Sequence, residues 1–345
     1  MLSDTEVRAT VESIADWQVG TGMIMWFPGG HADPWNHVEA AMALTVGGRH
    51  ADAERAYEWL AATQHDDGSW FNYYLDGGVE DYRLDTNVTA YVAVGVWHHY
   101  LATGDGGFLE AMWPVVDAAM GFVLRLQQPG GQVLWSIEPD GVTAGRFALL
   151  TGSSSVLHSL RAAVAIAERL GQERPEWELA AGQLAHAVAH RPELFEPKDR
   201  WAMDWYYPVL SGALHSDAAR ARLQERWDEF VMEGLGVRCV ADRPWATAAE
   251  TAECAIACAI SGMQAEAARL LRFTRHMRHA DGSYFTGCVH PQCVRFPGDE
   301  RTTYTAAAVV LADDMLKGGA ATTGVFAGHA LPLLLGDDDQ VIAPR

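Results

Sequence analysis

Six times along this chain an alanine-rich amphipathic run, a glycine-containing turn, one or more aromatics and a second run of small residues follow one another. The clearest copy reads Gln64-His65-Asp66-Asp67-Gly68-Ser69-Trp70, then Leu84-Asp85-Thr86-Asn87-Val88-Thr89-Ala90-Tyr91. The last reads His279-Ala280-Asp281-Gly282-Ser283-Tyr284-Phe285, then Glu300-Arg301-Thr302-Thr303-Tyr304-Thr305-Ala306-Ala307. A unit this short cannot bury its apolar face alone. Repetition therefore means a stacked or closed array in which each unit packs on its neighbours.

Helical periodicity divides the array into two sets. Segments with charged faces run over about Asp4–Gln18, Ala51–Gln64, Phe108–Gln127, Trp177–His190, Ala218–Glu233 and Gln264–Arg278. Between them lie segments richer in Ala, Gly, Ser and Thr, over about Pro34–Val46, Asp85–Tyr100, Gly152–Leu170, Tyr206–Leu214, Thr247–Ser261 and Arg301–Leu316. Polar faces suit an outer ring in water; small residues suit an inner ring crowded around an axis. The expected fold is all-α, an (α/α)6 toroid of six outer and six inner helices, with no competing strand period. It occupies residues 1–317 as one domain, and residues 318–345 read as a Gly/Ala-rich, acidic tail that contains Asp337-Asp338-Asp339.

With 345 residues, 49% of them apolar, the chain can fill the core of such a ring. A formal charge of -20 argues against nucleic acid or an anionic membrane surface as partner. No uninterrupted apolar stretch reads as a membrane span, the first residues do not read as a signal peptide, and the five cysteines are odd in number. The expectation is a reduced, cytoplasmic protein acting on a small molecule.

In a toroid the inner helices run parallel, so their N-termini gather at one mouth. Asp33, Asp85, Asp204, Glu250, Glu253, Asp299 and Glu300 all fall near inner-helix starts. Singly, each reads as a helix cap favoured by the helix dipole. Together around one cavity they shift each other's pKa values apart, as acid–base chemistry requires. The expected catalytic residues are Asp204, Asp85, Asp33, His31, Glu300 and Glu250. Asp204 ranks first as the acid because Trp201, Trp205, Tyr206 and Tyr207 surround it in sequence and would desolvate it. His31 and Asp33 share the polar loop Gly29-Gly30-His31-Ala32-Asp33, while His37 and Glu39 line the first inner helix. Trp26, Trp35, Trp70, Tyr73, Asn87, Trp201, Trp205, Tyr206, Trp245, Arg301 and Tyr304 are the expected substrate-binding residues. No cofactor is expected. An Asp-rich Mg²⁺ motif is missing, and Cys288-x-His290-x-x-Cys293 has irregular zinc spacing without an evident fourth ligand. Phosphate-binding, dinucleotide and serine-nucleophile motifs are absent too.

The segment Gln64-x-x-x-Gly68-x-Trp70 resembles the glutamine–tryptophan repeat of the squalene cyclase and protein prenyltransferase superfamily, with degenerate copies at Gln18…Gly22, Gln127…Gly131 and around Gly282. Asp85-Thr86-Asn87-x-x-Ala90-Tyr91 and Glu300-Arg301-Thr302-Thr303-Tyr304 resemble its inner-helix phrases. The resemblance implies an α/α toroid and acid-initiated terpenoid cyclase or prenyltransferase-like chemistry on an isoprenoid. The superfamily's Asp-x-Asp-Asp acid motif has no counterpart outside the tail. The chain is also similar to six-fold α/α-barrel carbohydrate-active enzymes, which combine aromatic platforms, several carboxylates and donors such as Asn36, Asn72 and Asn87. The extent of the repeat tips the expectation toward an isoprenoid; a glycosidase, lyase or epimerase is the alternative, and a non-catalytic binding toroid the third reading.

Overall fold

The computed structural model describes residues 1–334, so the Asp337-Asp338-Asp339 run lies outside the described residues. Among them the chain forms the expected all-α toroid. The outer helices are α1 (Asp4–Ala15), α3 (His50–Thr63), α6 (Gly106–Leu124), α8 (Pro175–His190), α10 (Ser216–Glu225), followed by the short α11 (Trp227–Phe230), and α13 (Gln264–Phe273). The inner ones are α2 (Pro34–Val46), α4 (Thr86–Ala90) continuing as α5 (Val92–Thr103), α7 (Leu150–Arg169), α9 (Ala202–Leu210), α12 (Ala248–Ile260) and α14 (Thr303–Lys317). Each inner helix packs on the next, and α14 packs back on α2, which closes the ring. Outer α3 buries a stripe of Ala53, Ala56, Tyr57, Trp59 and Leu60 at helical spacing. Inner α12 is buried nearly all round, and Ala252, Ala255, Ala257 and Ala259 let its neighbours approach.

The Gln–Gly turn is what joins one outer helix to the next. Gln64 Nε2 donates to Gly68 O (3.0 Å) within the turn and to Val115 O (2.9 Å) on α6. Gln18 spans Gly22 O (3.0 Å) and Asp52 O (2.9 Å) on α3, and Gln127 spans Gly131 O and Ala180 O on α8, both at 3.0 Å. Gly68 sits at φ +92°, and a Cβ there would overlap the Ala118 carbonyl of α6. In the last copy Arg278 replaces the glutamine, and Gly282 O accepts from Thr10 Oγ1 of α1 (2.8 Å). The final turn thus docks on the first helix.

Three features depart from expectation. Strands do occur, as short pieces in the loops over the mouth: β1 (Tyr73–Leu75) with β2 (Gly78–Asp81), β3 (Leu84–Asp85) with β4 (Ser136–Ile137), and an antiparallel sheet of β5 (Val231–Met232), β6 (Gly236–Arg238), β7 (Trp245–Thr247), β8 (Gly287–Val289) and β9 (Val294–Arg295). Runs of two to four residues are too short to leave a period in the sequence. Residues beyond 317 are partly folded: α15 (Ala320–Phe326) packs on α5, and Trp97 Nε1 donates to Ala330 O (3.0 Å). Finally α6, 19 residues long with mean hydropathy 1.4, has the length and apolarity of a membrane span, yet it is an outer helix packed on α4, α5 and α7.

Replacing Gly68 by Ala forces strain at positive φ and a backbone clash, and should cost about 2 kcal/mol or more in chemical denaturation. Gln64→Ala removes two buried-side hydrogen bonds and should cost roughly 1–2 kcal/mol without changing the helical circular dichroism spectrum.

Candidate active site

The inner-helix N-termini open into a cavity of about 430 Å³. Asp33 caps α2 just before Pro34, a residue whose fixed φ suits a first helical turn. Its Oδ1 accepts from Asn36 N (3.0 Å), and its Oδ2 from Asn36 Nδ2 (2.6 Å) and Trp26 Nε1 (2.7 Å). Asp85 caps α4 in the same way: Oδ1 accepts from Asn87 N (2.8 Å) and Val88 N (3.1 Å), Oδ2 from Trp135 Nε1 (2.5 Å). Pairing of Asp85 with Ser136 brings that indole into place. Burial raises both carboxyls, Asp85 to about 6, against the pull of these donors.

Deeper in the cavity Glu39 of α2 meets Glu253 of α12. Both Glu253 oxygens are engaged, one by the Tyr206 hydroxyl and one by that of Tyr207 (3.0 Å). Burial raises both carboxyls; Glu39 is raised further by Glu253, Asp33 and Glu250, and Glu253 by Glu250. Glu250, a turn above Glu253 and half-buried, also lines the cavity. Aromatic surfaces complete the wall: Trp26 edge-on to Tyr73 and Tyr304, Trp35 stacked on Tyr91 (4.3 Å), and Trp135 stacked on Phe147 (5.5 Å).

Of the sequence-predicted residues, Asp33, Asp85, Glu250, Trp26, Trp35, Tyr73, Asn87 and Tyr304 line this cavity. His31 stands behind Tyr73, stacked on its ring at 4.4 Å and paired with Glu80 (2.7 Å). Glu300 lies behind the lining Thr286, which donates to it (3.2 Å). Tyr206 reaches the site only through Glu253. The others point elsewhere. Asp204 accepts from Thr151 Oγ1 (2.5 Å) and Thr151 N (3.3 Å) in the first turn of α7, outside the lining. The aromatics thought to enclose it do not: Trp205 is buried toward the outer layer, bonded to Arg222 O (2.8 Å) and stacked on Phe230, and Trp201 is exposed beside Arg200. Trp70 is buried against α3, donating to Leu60 O (3.0 Å); Trp245 donates to Phe296 O (3.2 Å); Arg301 binds Asp281, His279 and Ser283 in the last Gly turn. Sequence reasoning assigned no catalytic or binding role to Glu39, Glu253, Trp135, Tyr207 and Arg83, although it set Glu253 among the acids of the mouth and Glu39 on the first inner helix. The available signal was a carboxylate inside an otherwise apolar inner helix, as in Val38-Glu39-Ala40 and Ala252-Glu253-Cys254. His37 is structural: its Nδ1 accepts from Ile24 N (3.0 Å), so Nε2 carries the proton and donates to Ala56 O (2.9 Å).

Fold and cavity together define a polar, aromatic-walled α/α toroid of the carbohydrate-active kind. The chain is 50% identical over 332 residues to the MMP endo-(1,4)-3-O-methyl-alpha-D-mannosidase of Mycolicibacterium hassiacum, covering 96% of this chain and 92% of that one. It belongs to the family of that glycosidase. An uncharacterized glycosyl hydrolase of Methanocaldococcus jannaschii is 31% identical over 87 residues, 25% of this chain and 14% of its own length. Among solved structures, a glycosidase in complex with glucose superposes with a TM-score of 0.74 at 16% identity, covering 91% of this chain and 96% of that one. A GH63 mannosylglycerate hydrolase from Thermus thermophilus in complex with glucose gives 0.70 at 14% identity, covering 88% and 99%. No family model matches. These findings favour a glycoside hydrolase-like enzyme with a sugar substrate over the isoprenoid chemistry expected from the repeat. The cavity gives the physical reason, since five carboxylates and three asparagines suit hydroxyl groups and not a hydrocarbon.

The acids also set a pH response. A carboxyl whose folded value is raised holds its proton more tightly in the folded state, so its contribution to stability is lost as pH rises. The buried histidines His37, His98, His99 and His158 titrate in the opposite sense, but only below their ordinary 6.5. Between about pH 6.5 and 8 the histidines therefore add little slope, the raised acids dominate, with the Glu39–Glu253 pair among them, and stability should fall. Glu253→Gln should flatten the slope of denaturation midpoint against pH over that interval.

Proposed function

We propose that this protein is a glycoside hydrolase that cleaves internal α-(1,4) bonds of a 3-O-methylated mannose polysaccharide. The near full-length identity to an enzyme of that name supports the substrate class. The observation that carries the reaction type is the convergence of Asp33 and Glu250 on one cavity, both within electrostatic reach of Glu39. Around the ring only α14 separates α2 from α12, so these two carboxyls can flank one sugar residue. Asp85 precedes α5, across the ring from α12, and the acid that acts on it electrostatically is Asp33.

Asp33 is assigned as the general acid. Burial keeps its proton available, and Oδ1, which accepts only Asn36 N, is the oxygen placed to carry it. It protonates the glycosidic oxygen as the C–O bond breaks. Glu250, the more accessible carboxylate, takes a proton from the water that adds to the anomeric carbon. Aromatic faces at Trp26, Trp35, Tyr73 and Trp135 supply platforms for the apolar faces of the rings. Asp85 holds the substrate through its Trp135-braced carboxyl. Asp204 is a cap on α7, and hydrolysis of this kind draws on carboxyl groups and water alone.

Incubation with 3-O-methylmannose oligosaccharides of α-(1,4) linkage, read by mass spectrometry, should give shorter oligosaccharides; turnover of polyprenyl substrates alone would reject the assignment. Asp33→Asn and Glu250→Gln should each lower kcat by roughly 10²–10⁴-fold, and Asp204→Asn should retain turnover. The rate should fall at high pH as Asp33 loses its proton. That alkaline limb should persist in Asp85→Asn; if it disappears there, Asp85 is the acid.

A further inference from the structure

Below the wide cavity the axis narrows to a space of about 10 Å³ between Trp35, Tyr91, His158, Leu210 and Phe326. That is room for about one water, so no sugar ring passes it. Glu39 and Glu253 line both the cavity and the narrow space, which makes them the floor on which a ring would rest. Glu253 is already engaged at both oxygens by Tyr206 and Tyr207. Glu39 is 3% exposed and makes no hydrogen bond among the described residues. A buried polar group without a protein partner calls for one from a ligand.

Resting on the glycosidase reading, we infer that Glu39 binds the sugar at the cavity floor as a neutral carboxylic acid, donating one hydrogen bond to it and accepting another. Burial and the facing Glu253, Asp33 and Glu250 all favour its protonated form. Trp26, Asn36, Asn72, Trp135 and Tyr207 already donate to carboxylates, and the remaining donors of the wall include Tyr73, Arg83 and Asn87. A methoxyl oxygen only accepts, and a neutral acid at Glu39 adds a donor at the floor, beside Glu253, which itself only accepts from two tyrosines.

The test compares Glu39→Leu with Glu39→Gln, whose amide keeps the shape and both donates and accepts. With the oligosaccharide substrate, Glu39→Leu should raise KM by about tenfold or more with a much smaller change in kcat, and Glu39→Gln should recover most of that loss. Calorimetric titration of the same oligosaccharide into Glu250→Gln protein, with and without each Glu39 change, should give the same order in Kd. Thermal melts of the variants identify any that fail to fold. A loss of kcat of about a thousandfold in Glu39→Gln would mark a proton-transfer group and overturn the inference. Unchanged KM and Kd in Glu39→Leu would overturn it while leaving hydrolysis by the wild type intact. A wild-type protein that neither binds nor cleaves the oligosaccharide would overturn both readings.

Discussion

Everything in this molecule depends on a side-chain amide that bonds two carbonyls at once, one in its own turn and one on the next outer helix. The contact needs a glycine at positive φ, because the turn lies flat against the neighbouring helix backbone. Three such turns and their Arg278 variant space the outer helices and hold the inner ones parallel. Closure by the Gly282 turn on α1 is what converts an array into a ring. A ring, unlike an open solenoid, brings the starts of non-consecutive helices together over one axis.

The chemistry uses what closure provides. Asp33 and Asp85 are helix caps by any local criterion, each accepting backbone N–H groups of the first turn. Each is also braced by an indole, Asp33 by Trp26 of its own loop and Asp85 by Trp135 of another, and they face a cavity. Capping and the roles proposed for these two carboxyls are not competing explanations at such positions. The cap fixes the carboxyl within the short range that proton transfer demands, while burial, the larger influence, raises its affinity for the proton.

The architecture was legible because its determinants are local. A glutamine four residues before a glycine, at the end of an amphipathic run, specifies the turn wherever it occurs. The same locality explains why the motif misled about substrate: Gln64 and Trp70 bind backbone carbonyls and touch no ligand-accessible surface, so the repeat reports helix spacing and not chemistry. Asp33, Asp85 and Glu250 were readable from their place at helix starts. Asp204 lies outside the cavity lining: α9 begins at Ala202, about one turn earlier than the pattern suggests, with the Asp204 side chain on α7 and Trp205 toward the outer ring. Glu39 and Glu253 were named as inner-helix acids but given no role, for a different reason. An inner helix is apolar on all sides, so periodicity does not reveal which side faces the axis.

That uniform apolarity is itself informative. A carboxylate in a fully buried helix costs several kcal/mol unless it is neutral or paired. Glu253 is hydrogen-bonded by two tyrosines, and Glu39 is driven toward its neutral form by burial first and by its acidic neighbours second, so the protein tolerates both. The repulsion that destabilises four buried acids around one axis is the same interaction that keeps protons on some of them. Burial alone raises the carboxyl of the proposed donor Asp33, whereas at Glu39 burial and the crowding of carboxyls act together to favour a floor able to donate a hydrogen bond. The toroid supplies enough packed apolar volume around its circumference to sustain that concentration of acid at its centre.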